Sequence, residues 1–219
     1  MRITPVLVAA VLLAAGPATA QEWIEYQSPK DGFSVNFPSQ PTVTDIVWTS
    51  EYEGKFPAHV YSVASGASKY SVTVVDYRTA ERVHAEMSKT EAALQGGNIY
   101  WQVDIQGSIA YVATQFRERP GVKVTFDAYH YVDLVSGHQL QLTNPDQSRT
   151  FVGLYLHENR LYILEATVPP RAPQPGLFQQ SLGFVDEKGG RVRYREIYSN
   201  RLPPRAPRPA APGADAPQR

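Results

Sequence analysis

The chain has 219 residues and a balanced formal charge, with 21 lysines and arginines against 21 aspartates and glutamates, and it has no cysteine. The balanced charge does not indicate a generally basic nucleic-acid surface, and the lack of cysteine excludes disulfides, thiolate metal sites and thiol redox chemistry. A chain of this length suits one domain whose core can fold unaided.

The first twenty residues have the pattern of a secretory signal peptide. Arg2 supplies a basic start, residues 6–15 form an unbroken apolar run, and Ala18 to Ala20 offer the small residues after which a signal peptidase cuts. The apolar run is about half the roughly 20 residues that span a bilayer, so it does not predict a stable membrane span. We expect cleavage between Ala20 and Gln21, and a protein that is periplasmic in a bacterium or otherwise secreted.

Alternation of apolar and polar residues at period two predicts strands through most of the remaining chain. Phe33, Val35 and Phe37 share one face of the clearest strand. Pro38 ends that strand because proline cannot donate to a strand ladder. The same alternation predicts four more strands before the first helix, over residues 23–26, 42–49, 59–65 and 70–78.

Helical spacing then replaces the alternation. Val83, Met87 and Leu94 recur on one face, which predicts a helix over residues 79–95. Thr79 is a suitable N-cap, and a glycine pair stops the helix. After it the alternation resumes and predicts strands over residues 99–105, 109–117, 122–132 and 139–143.

Matching of apolar faces sets the register of two hairpins. Placing Val132 opposite Leu140 leaves residues 135–137 as a three-residue loop, with Gly137 in the left-handed position. The other predicted elements are a hairpin of residues 151–156 with 161–168 around a tip at 157–160, a short helix over 177–182 and a late strand over 191–198.

The last nineteen residues, 201–219, are rich in proline, alanine and arginine. They carry a net charge of +3, from four arginines against Asp215, whereas residues 21–200 carry 16 basic against 20 acidic side chains, a net charge of −4. With almost nothing to bury, such a segment cannot offset the entropy of ordering. We therefore predict a signal peptide over 1–20, a single domain over 21–200 and a disordered Pro/Arg-rich C-terminal tail over 201–219.

Three segments of the chain carry a resemblance to a known family. They contain Trp23, residues 32–38 and Pro41; residues 159–164; and Phe178, Ser181 and Phe184. They resemble the opening, the last core strand and the closing helix of PsbP-like domains, including DcrB-like exported bacterial proteins. The resemblance covers roughly residues 23–184 and implies an α+β fold, an α/β/α sandwich on a mainly antiparallel sheet. It implies no catalytic residue, because the family's better-understood members act as accessory or binding subunits. Residues 185–219 depart from the pattern.

Motifs of common catalytic and nucleotide sites are absent from the sequence, including Gly-x-Ser-x-Gly, His-Glu-x-x-His, phosphate-binding glycine loops and calcium loops. In the predicted register His130 lies opposite Leu142, four residues along the strand from His138, so their backbones are about 13 Å apart at roughly 3.3 Å per residue. Two ring nitrogens do not easily share one zinc ion from that separation. We therefore expect no metal site and no cofactor.

Two acidic pairs, Glu51 with Glu53 and Asp186 with Glu187, could act in acid–base catalysis. Unperturbed carboxylates titrate far below neutral pH, and nothing in the sequence indicates a pocket that would shift their pKa values. Solvated carboxylates are therefore the favoured interpretation, and no catalytic residue is predicted.

Two features could bind a partner. Lys123, Tyr129 and Tyr131 lie on the more polar face of strand 122–132, where tyrosine rings could contact sugars or peptides; packing under a helix or across strands is the alternative. The basic run over residues 188–208, which includes Arg205 and Arg208, could contact anionic lipid head groups, wall polymers or an acidic partner. A merely solvated tail is the alternative there.

The sequence therefore predicts an exported, non-enzymatic accessory or binding module of the cell envelope. Its partner would be an envelope protein or an anionic envelope polymer rather than nucleic acid. The alternative is a hydrolase with a carboxylate-based site that forms only in three dimensions. A deep pocket gathering two acids, or an acid and a histidine, would favour the hydrolase, whereas a shallow surface with exposed tyrosines would favour binding.

Overall fold

A computed structural model describes residues 23–87 and 99–201. The expected signal peptide, the second half of the predicted first helix, and the tail beyond Arg201, with Arg205 and Arg208, lie outside these residues. Among the helices that are described, none has both the length and the apolar character needed to cross a membrane.

The described residues form two sheets and three helices. In chain order the elements are β1 (Ile24–Ser28), β2 (Phe33–Phe37), β3 (Thr42–Thr49), β4 (Lys55–Ser65), β5 (Ser68–Asp76), α1 (Ala80–Met87), α2 (Tyr100–Arg117), β6 (Lys123–Val132), β7 (Val135–Thr143), β8 (Arg149–His157), β9 (Arg160–Val168), α3 (Gly176–Gln179), β10 (Gly183–Val185) and β11 (Arg191–Val192). The larger sheet has seven strands in the order β3-β4-β5-β9-β8-β7-β6, and the smaller has four in the order β1-β2-β10-β11. Neighbouring strands pair antiparallel in both sheets.

The larger sheet is the middle layer of the fold. One of its faces packs against α1 and α2 around a core that includes Phe56, Tyr77 and Ile105. The other face packs against the smaller sheet and α3 around Phe37 and Tyr162. Because both faces are covered, the central strands β8 and β9 are almost continuously buried. The expected α+β class on a mainly antiparallel sheet is confirmed, and the second covering layer consists of the smaller sheet together with α3.

The predicted strands over residues 99–105 and 109–117 are wrong, because these residues form the single helix α2. Trp101, Ile105, Val112 and Phe116 are all buried against the sheet. Their spacing of four, seven and four residues places them on one helical face. The β-branched and aromatic residues between them also fit the alternating pattern of a strand. Packing of the helical face against the sheet favours the helix over the strand.

The predicted loop of the β6–β7 hairpin is also wrong. Val132 pairs with Val135, which leaves a two-residue turn at Asp133 and Leu134, and both residues have positive φ angles, of 46° and 64°. This is the φ pattern of a type I′ turn, whose twist matches that of the flanking strands. Gly137 therefore lies inside β7 rather than in the loop.

The new register changes the positions of two histidines. His138 lies opposite Tyr129, one residue from His130 along β6, so the predicted spacing of four residues is wrong. The two imidazoles lie on opposite faces of the sheet. His138 contacts Arg117 of α2 on one side, and His130 lies 3.0 Å from the phenolic oxygen of Tyr155 on the other.

The C-terminal segment after β10 lies against the domain. Of the predicted strand over residues 191–198, only Arg191–Val192 is strand, and Tyr198 makes a single parallel bridge to Val135. The β8–β9 turn consists of Glu158 and Asn159, so His157 is a buried strand residue rather than part of a hairpin tip.

Candidate functional site

The strand β6 forms an edge of the larger sheet, and its outer side has no strand partner among the described residues. Four of its apolar or aromatic side chains are exposed, and we name these with Lys123 the β6 surface. The exposed fractions are 87% for Tyr129, 51% for Tyr131, 43% for Phe126 and 37% for Val124. Soluble proteins rarely leave several large apolar side chains together on an edge strand, because such an edge can pair with another chain.

Polar contacts hold the strand beneath the most exposed tyrosine. The Oδ2 atom of Asp127 accepts a hydrogen bond from Arg117 Nε at 2.7 Å, and its Oδ1 atom lies 2.5 Å from His138 Nε2. The Arg117 hydrogen bond lowers the pKa of Asp127, with a smaller contribution from His138. The ring of Tyr129 meets the imidazole of His138 edge-on, with centroids 5.6 Å apart. The end of α2 is thereby tied to both strands of the hairpin.

A groove with a volume of ≈ 780 Å³ adjoins one end of the β6 surface. It runs between the end of β6, α3 and the smaller sheet, and its lining includes Tyr131, His130 and Leu177. Burial lowers the pKa of His130. An ion pair between Arg191 and Glu25, at 2.9 Å, lies on the opposite wall.

The structure describes three of the sequence-predicted binding residues, Lys123, Tyr129 and Tyr131, and all three are exposed on β6. They do not share one face as predicted, because the bulge between Val124 and Phe126 shifts the alternation and places Lys123 on the face opposite Tyr129 and Tyr131. Tyr129 is not packed under a helix, but its ring contacts His138 of the neighbouring strand β7, which is the cross-strand contact of the alternative interpretation. Val124 and Phe126 were not chosen from the sequence, and their exposure results from a bulge between them and from the edge position of the strand.

A second cluster joins an acid and a histidine that are 28 residues apart in sequence. The Oδ2 atom of Asp31, in the β1–β2 turn, lies 2.7 Å from His59 Nδ1 and also accepts a hydrogen bond from the Tyr61 hydroxyl. Burial, and then this bond to Asp31, raises the pKa of Tyr61. The other imidazole nitrogen, Nε2, lies 3.2 Å from Lys30 Nζ and 3.5 Å from Asp45 Oδ1. Both nitrogens are thus engaged by charged neighbours.

The two acidic pairs considered from the sequence are exposed. Glu51 and Glu53 lie in the turn between β3 and β4, and Asp186 accepts hydrogen bonds from the backbone of Lys188 and Gly190 in the turn before β11. Within residues 23–87 and 99–201, no group of three or more histidines, aspartates and glutamates could hold a metal ion.

No protein-family model and no curated protein matches the sequence. Among solved structures the chain is similar to cyanobacterial PsbP from Synechocystis sp. PCC 6803, with 12% identity and a TM-score of 0.39, over 72% of this chain and 86% of that one. It is also similar to PA94 from Pseudomonas aeruginosa, a protein of unknown function, with 12% identity and a TM-score of 0.28, over 68% of this chain and 83% of that one. The first of these structures belongs to the PsbP family that the sequence resembles.

Proposed function

We propose that this chain is an exported, non-enzymatic binding module of the cell envelope, and that its β6 surface binds an extended segment of an envelope protein. The observation that carries the proposal is the 87% exposure of Tyr129 on an edge strand. The signal-peptide pattern of residues 1–20 supports the location, and the basic residues Arg205 and Arg208 would contact an anionic envelope polymer.

The mode of binding that suits β6 is strand addition. A peptide that pairs with the outer side of β6 gains backbone hydrogen bonds, and its alternate side chains contact the two faces of the strand. Residues 126–132 offer a regular stretch for this pairing, because the bulge before Phe126 interrupts the register. The rings of Tyr129 and Tyr131 add cross-strand contacts worth about 0.2–1 kcal/mol each.

A hydrolase with a carboxylate-based site is the second candidate, and the observation that favours it is the contact between Asp31 and His59. A carboxylate on Nδ1 orients an imidazole so that Nε2 can accept a proton. In this chain Lys30 and Asp45 occupy the Nε2 side of the ring, which favours an ion-pair network over an open catalytic base.

Site-specific photo-crosslinking in the native envelope tests the binding proposal. A crosslinker replaces Tyr129, and the control replaces Val47, which is 69% exposed on β3 at the opposite edge of the same sheet. We expect the probe at position 129, and not that at 47, to capture a defined segment of one envelope protein. The captured segment, made as a peptide, should bind the whole chain and lose affinity when both Tyr129 and Tyr131 are changed to alanine.

Two results would contradict the proposal: equal capture at both positions, or a captured peptide whose affinity the tyrosine double variant leaves unchanged. The variant His59→Gln distinguishes the hydrolase from the binding module, because it should leave peptide binding by the β6 surface intact. A hydrolytic activity that the intact chain shows and His59→Gln lacks would favour the hydrolase instead.

A further inference from the structure

The structure contains a second cleft, which shares no lining residue with the groove beside β6. It has a volume of ≈ 970 Å³ and lies where the β8–β9 turn meets the C-terminal segment 194–201. Its charged lining residues are Arg78, Glu158, Arg195, Glu196 and Arg201.

Hydrogen bonds fix the C-terminal wall of this cleft to the turn. The side chains of Asn159 and Asn200 bond to each other at 3.0 Å, and Asn159 Nδ2 donates to the carbonyl of Arg201 at 2.9 Å. The hydroxyl of Tyr198 accepts the backbone N–H of Glu158 at 2.9 Å. The arginines on this wall are therefore carried by backbone that is held in place, which lowers the entropy cost of binding a ligand.

The cleft has an excess of guanidinium groups. Arg78 is held by Asp76, with Nη2 to Oδ2 at 2.6 Å, so its position is set and part of its charge is neutralised. Arg195 and Arg201 are exposed, and neither has an ion-pair partner among the described residues. Against these three arginines the lining offers two carboxylates, those of Glu158 and Glu196.

A fourth guanidinium lies directly behind the lining. Arg160 Nη1 is 3.6 Å from Glu158 Oε2, and the Arg160 side chain is only 9% exposed. Its Nε atom is buried and has no acceptor. A buried donor without a partner is uncommon and costs free energy. The Nη2 atom of the same guanidinium donates to the carbonyl of Lys30 at 3.5 Å.

We propose that this cleft binds a phosphate group carried by a larger ligand. A carboxylate is satisfied by a single guanidinium fork, whereas the oxygens of a phosphate accept from two or three guanidinium groups at once. Arg195 and Arg201 supply the unpaired forks. Arg78 lines the same cleft and follows Tyr77, whose backbone N–H donates to the carbonyl of Asn159 in the turn at 2.9 Å. Because the arginines are exposed, salt weakens the binding.

The phosphate could belong to a soluble ester or to a phospholipid head group, and the test includes both. Glucose 6-phosphate is titrated into the isotope-labelled whole chain at low salt, with glucose as the neutral control, and backbone amide shifts are followed by NMR. In parallel, sedimentation measures binding to phosphatidylglycerol vesicles, with phosphatidylcholine vesicles as the control. We expect shifts at residues 194–201 with the phosphate probe and none with its neutral counterpart.

Charge variants test whether the phosphate binds in this cleft. Arg195→Gln combined with Arg201→Gln should weaken binding about tenfold, since two exposed pairs contribute about 0.7 kcal/mol each. Arg171→Gln with Arg82→Gln removes the same charge from exposed positions outside the lining and should change affinity by less than about twofold. Glu196→Gln removes a lining carboxylate and should strengthen binding.

Each outcome has a defined meaning. Binding of glucose 6-phosphate that the cleft variants weaken supports a soluble ester, and binding of phosphatidylglycerol vesicles alone, weakened in the same way, supports a head group. Absence of binding by both probes overturns the proposal, as does equal weakening by the cleft and control pairs. Neither result bears on peptide binding by the β6 surface, so the two proposals fail separately.

Discussion

The Nε2 atom of His157 lies 2.7 Å from the phenolic oxygen of Tyr194. The same imidazole stacks on Phe184, with ring centroids 4.1 Å apart, and its Nδ1 atom is buried without a partner. One histidine thus joins the end of β8, the smaller sheet and the C-terminal segment. Burial, with a smaller contribution from Arg160, lowers its pKa from 6.5 to about 4.

This lowered pKa predicts a loss of stability in acid. Between pH 6.5 and pH 4 the unfolded chain binds a proton at His157 that the folded chain does not, so the free energy of unfolding falls as the pH falls through this window. The fall of this pKa from 6.5 to about 4 corresponds to about 3 kcal/mol in full, of which about 2 kcal/mol is lost between pH 7 and pH 4.5. Urea unfolding at pH 7 and at pH 4.5 measures the loss, and His157→Phe should reduce it. An identical pH dependence in the variant would contradict the assignment.

The contacts of the C-terminal segment predict that two truncations differ. Deleting residues 202–219 should leave thermal stability nearly unchanged, since the sequence indicates little to bury there. Ending the chain at Gly190 also removes β11, Tyr194 and Tyr198, which pack against the core around His157. That truncation should cost at least about 2 kcal/mol, because burying one large side chain contributes about that much. Equal stability of the two truncated chains would mean that the segment contributes nothing.

Export remains a prediction from the sequence, and intact mass tests it. The Ala18 to Ala20 pattern predicts that protein recovered from the envelope or medium lacks residues 1–20 and begins at Gln21. Ala20→Pro should block the cut, since signal peptidase requires a small residue there. Recovery of the unchanged full-length chain from a membrane fraction would contradict the prediction.

Local patterns predicted the strands well, because alternation around one buried face is a property of neighbouring residues. Phe33, Val35 and Phe37 are all fully buried, as the alternation implies. In contrast, Ser34 on the other face of β2 is also buried, at a position flanked by the paired residues Gln27 of β1 and Gly183 of β10, and no local pattern contains this information.

The errors have a common physical cause, which is dependence on distant packing. Helix α2 is stabilised by its contacts with the sheet rather than by strong helix formers or a side-chain cap. The contact between Asp31 and His59 requires the β1–β2 turn to lie over β4, and the sequence gives no sign of it. The exposure of Tyr129 likewise depends on which strand forms the edge of the sheet. The sequence could therefore predict that Tyr129 lies on a strand, but not that its side chain is exposed.

The burial of Phe37 predicts a large cost for removing its ring. Phe37 is 0% exposed and lies 5.4 Å from the ring of Phe178, between the smaller sheet and α3. Phe37→Ala should lower the free energy of unfolding by about 3–5 kcal/mol, as large-to-small core substitutions do. Val47→Ala, at an exposed position of β3, should change it by less than about 0.5 kcal/mol. Denaturant unfolding compares them, and a loss below about 1 kcal/mol for Phe37→Ala would contradict the burial.

Gly137 provides a test of the β7–β8 register. A Cβ atom at this position would collide with the backbone oxygen of Leu154 and with the ring of Tyr155, because β7 approaches β8 closely there. Gly137→Ala should therefore lower the free energy of unfolding by about 1–3 kcal/mol, the cost of overpacking a core. Gly176→Ala is the matched control, since nothing lies within 4 Å of its added Cβ, and it should have little effect. If both variants unfolded at the same urea concentration as the unmodified chain, Gly137 would lie outside the strand, in the three-residue loop that the sequence predicted.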